Sequence, residues 1–376
     1  MAKKLKTVCV LTAALLISLL ALAACGQTVS KGGKTVSGGG SKPKGTAKAP
    51  FEVWTEADLR AVGRGAGKYA GWTSDAHYRQ CADITIAQGG SAVMIGNVAE
   101  PFTGVYDGGG HTITGLTIKS ASGQFVGLFG MIWEGGAVKN LGLVNASISG
   151  DTCVGGIAGG IWKGCSIANC FVTGSVSGIN RVGGIVGQNS GGSVANCFSS
   201  ANVTGGADPR VPGGTVGIVG PGGTIVQAAY ASGDAGGVSG SISDGGSVVN
   251  CYTSGSVSGY QNVGGVVGFN NGTGTVKNCA ALCPSITRLG GGNTYFGRVV
   301  GDNTGKCTGS YARSDMQFTG ITQAATAGSA HGANAAAGTY KTKAFWSGTL
   351  GWAFGDSAGK PWKWNSASSL PVLWFR

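Results

Sequence analysis

The chain has 376 residues, 27 Lys and Arg against 15 Asp and Glu, a net charge of +12, and 74 glycines. Glycine at nearly three times its usual share of about 7%, without a period of three, excludes collagen and calls for a turn every few residues. Residues 1–50 hold eight lysines and no acid, which leaves 19 basic against 15 acidic residues and a body of +4, so the basicity does not argue for a nucleic-acid partner.

Residues 1–24 read as an export signal. Lys3, Lys4 and Lys6 form its basic region and Val8 to Leu22 its apolar stretch, which is too short for a good spanning helix. Leu22-Ala23-Ala24-Cys25 resembles the bacterial lipobox. The resemblance implies diacylglycerol on Cys25, cleavage before it and acylation of the new amine. The lipid bilayer is then a partner through Cys25, since two or more acyl chains anchor stably. Gly26 follows in place of Asp, so by resemblance to Gram-negative lipoproteins the chain is not held at the inner membrane. The expected location is the cell membrane, facing outward, or the outer membrane in a Gram-negative cell. Residues 25–50 are a flexible Gly/Ser/Lys tether. Residues 51–100 read as an N-terminal cap, with a helix from Thr55 to Val62 capped by Thr55 and strands at Asp83–Ile86 and Val93–Ile95.

Residues 101–315 are built on one recurring phrase. Val154-Gly155-Gly156-Ile157-Ala158-Gly159 is followed by Asn169-Cys170, Val182 to Gly187 by Asn196-Cys197, and Val263 to Gly268 by Asn278-Cys279. Looser copies sit at Phe125–Gly130, Gly214–Gly220, Gly236–Gly240 and Phe296–Gly301. The closing glycines step by 29, 28, 33, 20, 28 and 33 residues. A period near 28 predicts a solenoid of short parallel strands. The steps of 33 predict loops near Gly206–Pro212 and Thr287–Thr294, and the step of 20 a shortened turn near Ala228–Gly236. The alternation of apolar residues changes parity between Ile167 and Cys170, and between Val194 and Cys197. Asn tolerates the left-handed conformation best among non-glycine residues, so Asn169, Asn196, Asn250 and Asn278 are expected at a corner, with each following Cys turned inward.

Residues 316–376 lose the phrase and gather Phe345, Trp346, Trp352, Phe354, Trp362, Trp364, Trp374 and Phe375. These aromatics are expected to seal the last turn; a sugar-binding platform is the sharper alternative. The VGGIVG…NC phrase resembles the GLUG repeat of bacterial surface and secreted proteins, which implies a right-handed parallel β-helix over roughly residues 50–376. Phe102 to Ile113 resembles the segment that opens such helices, and Trp362 to Leu373 the segment that closes them. The expected fold is therefore all-β: a right-handed parallel β-helix with a small α+β N-terminal cap and an aromatic-rich C-terminal cap. Fold alone carries no function.

Three function classes compete: a non-catalytic surface protein for adhesion, ligand binding or spacing, a polysaccharide lyase or glycosidase, and a peptidase. The peptidase needs a His-Glu-x-x-His helix, and the sequence has none. A glycosidase needs two carboxylates facing across a groove, whereas Glu134, Asp151, Asp208, Asp234, Asp244, Asp302 and Asp315 are scattered; Asp107 near His111 comes closest to a dyad. Catalytic residues, metal ligands and cofactors are therefore expected to be absent, and a non-catalytic role is favoured. Trp133 and Trp162 each lie three residues after a closing glycine and should stack outside a turn on adjacent coils. They are the candidate surface for a glycan or matrix-protein ligand, and equally a cover for the first coils. With Cys9 in the signal and Cys25 lipidated, nine cysteines remain. A buried ladder of reduced thiols is expected at Cys170, Cys197, Cys251 and Cys279, although export favours disulfides and Cys279 could pair with Cys283.

Overall fold

The computed structural model describes residues 45–89, 92–206, 215–219, 225–230, 233–290, 295–319 and 330–376; the expected signal, Cys25 and residues 26–44 lie outside these. The recurring phrase folds as two strands with a corner between them. Its first halves stack in parallel as one six-stranded wall: Gln124–Val126, Thr152–Gly155, Asn180–Gly183, Ala235–Gly236, Asn262–Gly264 and Tyr295–Gly297. Its second halves form another: Phe129–Ile132, Ala158–Trp162, Val186–Ser190, Ser239–Ser243, Val267–Asn270 and Val300–Asn303. The corner is tight. A Cβ on Gly155 would run into the Ala158 carbonyl oxygen, and one on Gly183 into that of Val186, which is why glycine recurs there.

A broad third sheet closes each turn. Within it Ile167 lies beside Val194, Val194 beside Val248, and Val248 beside Val276, all parallel and in register. Like residues thus lie over like residues about 4.8 Å apart, and the enclosed core is mainly aliphatic in the repeating turns, with Tyr78, Phe102, Tyr106 and Phe129 filling its N-terminal end. The fold is all-β, a parallel β-helix as expected.

The asparagine corner is present. Asn169, Asn196, Asn250 and Asn278 have φ of 54°, 54°, 52° and 52°, and Cys170, Cys197, Cys251 and Cys279 behind them are fully buried. The amides ladder along the corner: Asn169 Nδ2 donates to Asn140 Oδ1 at 2.9 Å and Asn250 Nδ2 to Asn196 Oδ1 at 3.3 Å. All nine described cysteines are free thiols. Each Sγ of the buried ladder donates to the carbonyl two residues before it at 3.2 Å, and the Cys170 and Cys197 amides donate to the next Sγ at 3.4 Å.

One repeat assignment is overturned. Gly214–Gly220 is not a turn of the helix. Val182 pairs with Ala235 and Val186 with Ser239, so the steps of 33 and 20 are one step of 53, a single turn carrying an insertion. Within the insertion, Thr215–Val219 pairs antiparallel with Ile225–Tyr230. Among the described residues of the expected shortened turn, Ala228–Tyr230 belong to the antiparallel pair and Ala235–Gly236 to the next turn of the helix; the expected loop beginning at Gly206 falls mostly outside the described residues. The second extra segment sits where expected: Gly259 pairs with Arg288 and Asn262 with Tyr295.

The N-terminal region has the predicted helix, Glu56–Ala61, with a reciprocal capping box between Thr55 and Asp58. It also continues the broad sheet. Phe51–Val53 pairs in parallel with His77–Gln80, Phe51 beside Tyr78 and Val53 beside Gln80, and His77 pairs with Val105.

The C-terminal aromatics do not seal the last turn. Residues 330–335 cover that end, through Ala333–Ala335 beside Tyr311–Arg313 and the Ala330 carbonyl, which accepts from Val299 and Val300. The aromatics run back along the outside of the broad sheet as a strap. The residue after each corner cysteine points outward, and Phe171, Phe198 and Tyr252 stack there with centroids 5.0 Å apart and planes within 7°. Trp346, Trp352 and Trp362 bury this stack. The strap is pinned along its length: Trp352 Nε1 donates to the Asn278 carbonyl at 3.0 Å, Tyr252 Oη to the Pro371 carbonyl at 2.8 Å and Asn169 Nδ2 to the Ala358 carbonyl at 3.4 Å. Its last residue, Arg376, sets its guanidinium 4.4 Å from the Phe171 ring centre. Because Trp346, Trp352 and Trp362 are buried, they form no sugar platform.

Candidate ligand-binding site

Trp133 and Trp162 stand on adjacent turns, as expected, because Ile132 pairs with Ile161 just before them. Each opens a tight turn: Gly136 N–H returns to the Trp133 carbonyl and Cys165 N–H to that of Trp162, both at 2.9 Å. Gly135 and Gly164 supply the positive φ of these turns, at 83° and 84°. The indoles are 5.1 Å apart but tilted by 48°, and Trp162 leans on Phe125 at 5.4 Å. Both are half-buried. Trp162 is held from behind by a small outer cluster of Phe125, Met131 and Cys153, while Trp133 also borders open space.

That space is a trough of two lobes between the N-terminal region and the first full turn. One lobe, of about 850 Å³, includes Arg64, Thr73, Ser74, Glu100, Thr103, Trp133 and Glu134 in its lining. The other, about 430 Å³, shares Gly63, Arg64, Ser74 and Glu100 and ends on Met94 and Asn97. Asn97 Oδ1 accepts from the Ala99 and Glu100 amides at 2.7 and 2.9 Å and so presents Glu100 on a turn. Glu134 occupies the tip of the Trp133 turn with φ of 49°. Arg64 extends across to the Met94 carbonyl at 3.2 Å. Sequence reasoning identified Trp133 but missed Arg64 and Glu100, which lie outside the repeat. Their signal was faint: Asn97-Val98-Ala99-Glu100 has the spacing of an Asx turn.

The other acids mostly serve the fold. Asp107 accepts from Gly109 N–H at 3.0 Å and Asn140 Nδ2 at 2.9 Å, ending the asparagine ladder, and Lys139 lies 3.5 Å away. His111 faces Asp83 at 3.4 Å, not Asp107, so the suspected dyad is not assembled. Glu56, held low by the Ala87 amide and Arg60, ties the helix to the segment just after the strand Ile84–Thr85. Arg313 beside Asp315 holds that carboxyl down at about 2. Burial pushes Cys153 and Cys283 up to about 12, and Cys197, Cys251 and Cys279 well up, so these thiols are neutral packing groups rather than nucleophiles. Among the described residues no group of three or more His, Cys, Asp or Glu converges on a metal-sized site, and no helix is long and apolar enough to cross a membrane.

By class, the chain is a parallel β-helix protein carrying GLUG repeats. The GLUG motif matches residues 150–177, 178–204 and 259–286, flanking the insertion. Among particular relatives, halomucin of Haloquadratum walsbyi is 36% identical over 154 residues, 38% of this chain and 2% of that protein. A provisionally named Gly-rich membrane protein of Evansella cellulosilytica is 29% identical over 184 residues, 39% of this chain and 21% of its own length. The chain thus spans a small part of both. In structure it resembles a provisionally named immunoglobulin A1 protease of Bacteroides ovatus, with a TM-score of 0.62 at 22% identity over 89% of this chain and 95% of that one. This last likeness shows the fold alone.

Proposed function

We propose that the protein is a membrane-anchored surface lipoprotein whose β-helix is displayed for adhesion or ligand binding without catalysis. The observation that carries the binding role is the contrast between its aromatic ladders. The protein buries Phe171, Phe198 and Tyr252 under a dedicated strap, yet Trp133 stays half-buried at the edge of a polar trough. An indole beside convergent polar groups suits ligand contact. Relatives named as a mucin and a membrane protein support a surface setting, and the Cys25 lipobox supplies the anchor. Replacing Cys25 by Ala should release the protein from the membrane fraction into the medium. Continued membrane retention of that variant contradicts the anchor.

A second reading is a polysaccharide-cleaving enzyme, favoured by one observation: Glu100 and Glu134 line the same cleft. Paired carboxylates are what glycoside hydrolysis requires. Sugar release from any polymer by the full chain, abolished by Glu134→Gln, would favour this reading over non-catalytic binding.

A further inference from the structure

Resting on the surface-binding reading, the geometry points to the ligand: the trough binds a linear, uncharged or N-acylated sugar chain, with Trp133 as its stacking floor. Two lobes joined through Gly63, Arg64, Ser74 and Glu100 make an elongated site, larger than one ring needs and open enough for a chain to lie along it. An extended peptide would dock by adding a strand, which needs free backbone donors. The trough has few to offer. The amides of Gly63, Arg64, Gly65, Thr103 and Trp133 already donate within the chain, to Tyr78 Oη and to the carbonyls of Ala61, Trp72, Ser74 and Phe102. Recognition therefore falls to side chains: the Thr73, Ser74 and Thr103 hydroxyls, the Arg64 guanidinium and the Glu100 and Glu134 carboxylates. A row of hydroxyls and charged hydrogen-bonding groups beside one indole suits sugar hydroxyls above and a sugar ring's C–H face below. Two carboxylates against one guanidinium disfavour a chain of uronates or sulfates, which would meet like charge. Trp162, on the neighbouring turn, is not part of the trough lining; it supports Trp133 from the side.

The test is a glycan array probed with the full chain in detergent micelles, followed by titration of the best-bound oligosaccharide. Binding to neutral or N-acetylated linear chains, and not to sulfated or uronate chains, is expected. Trp133→Ala should weaken it about tenfold or more and Trp133→Phe less than about threefold, since an aromatic contact is worth on the order of that ratio. Trp162→Ala should change it less than about threefold. Glu134→Gly keeps the fold secure, because glycine accepts the positive φ at that turn, and should still weaken binding by about threefold or more. Undiminished binding by both Trp133→Ala and Glu134→Gly, or binding confined to polyanions, overturns the trough assignment. If those variants still hold a glycan or a matrix protein, the surface-binding reading survives without the trough. Failure of the full chain to bind any glycan or matrix protein overturns both. Turnover of a bound chain that Trp133→Ala also weakens keeps the trough and replaces the non-catalytic reading.

Discussion

Two aromatic ladders on the outside of one helix meet different fates. On the broad sheet, Phe171, Phe198 and Tyr252 stack nearly coplanar and are buried by the strap. At the turns after the second wall, Trp133 and Trp162 stack tilted and stay half-covered. Both arise from the same cause, since a residue at a fixed place in each turn lies over its counterpart in the next. Stacking thus follows from the period, whereas burial depends on what the rest of the chain lays on top.

The comparison breaks most severely if the strap is removed. Trp346, Trp352, Trp362 and Leu373 are each fully buried or nearly so, and full burial of a large apolar side chain contributes roughly 1.5–3 kcal/mol. Deleting residues 340–376 should therefore cost on the order of 5 kcal/mol or more, which is comparable to the whole stability of many domains. Calorimetry should show a large fall in Tm, with dye binding to the exposed ladder; an unchanged Tm would contradict the strap. Tyr252→Ala comes next, at about 3–5 kcal/mol in denaturant unfolding. Tyr252→Phe, which loses the bond to the Pro371 carbonyl but keeps the ring, should cost about 1 kcal/mol. If the two variants unfold alike, ring stacking is not what holds the strap.

High pH probes the buried thiols of the core and of the outer cluster behind Trp162. The buried thiols of Cys153 and Cys283 are raised from an ordinary value of 9 to about 12. A raised pKa means that the unfolded chain loses these protons first, so the stabilisation is complete below about pH 9 and is lost as pH rises from 9 towards 12. Stability measured across that window should decline, and native thiols should resist alkylation at pH 8; rapid labelling of Cys197 or Cys251 would contradict the burial. Trp162→Ala should have the smallest effect, about 1 kcal/mol, because its ring is half-buried and has no strap over it. A loss matching that of Tyr252→Ala would make the tryptophan pair a packing element.

The solenoid and its asparagine corner were legible because a repeat states its contacts many times over, and because the parity change at Asn169-Cys170 has few backbone solutions. The insertion was misread for a local reason. Gly214-Thr215-Val216-Gly217-Ile218-Val219-Gly220 imitates the phrase in composition, and only the pairing of Val182 with Ala235 reveals that the coil passes it by. The strap was placed at the wrong surface because Phe171, Phe198 and Tyr252 stand on the side of the sheet that alternation assigns to solvent. The trough was half-read: Trp133 carries the period, but Arg64 and Glu100 come from the non-repeating region and meet it only through folding.

Hydrogen exchange resolved by mass spectrometry tests the contrast between the strapped and the open face most directly. Amides of Phe171, Phe198 and Tyr252 and of the strap at Trp362–Leu373 should exchange slowly and together, whereas those around Asn97–Glu100 and Glu134 at the trough should exchange fast. Fast exchange throughout residues 340–376, with the ladder amides still protected, would show that no strap covers them and would contradict the account.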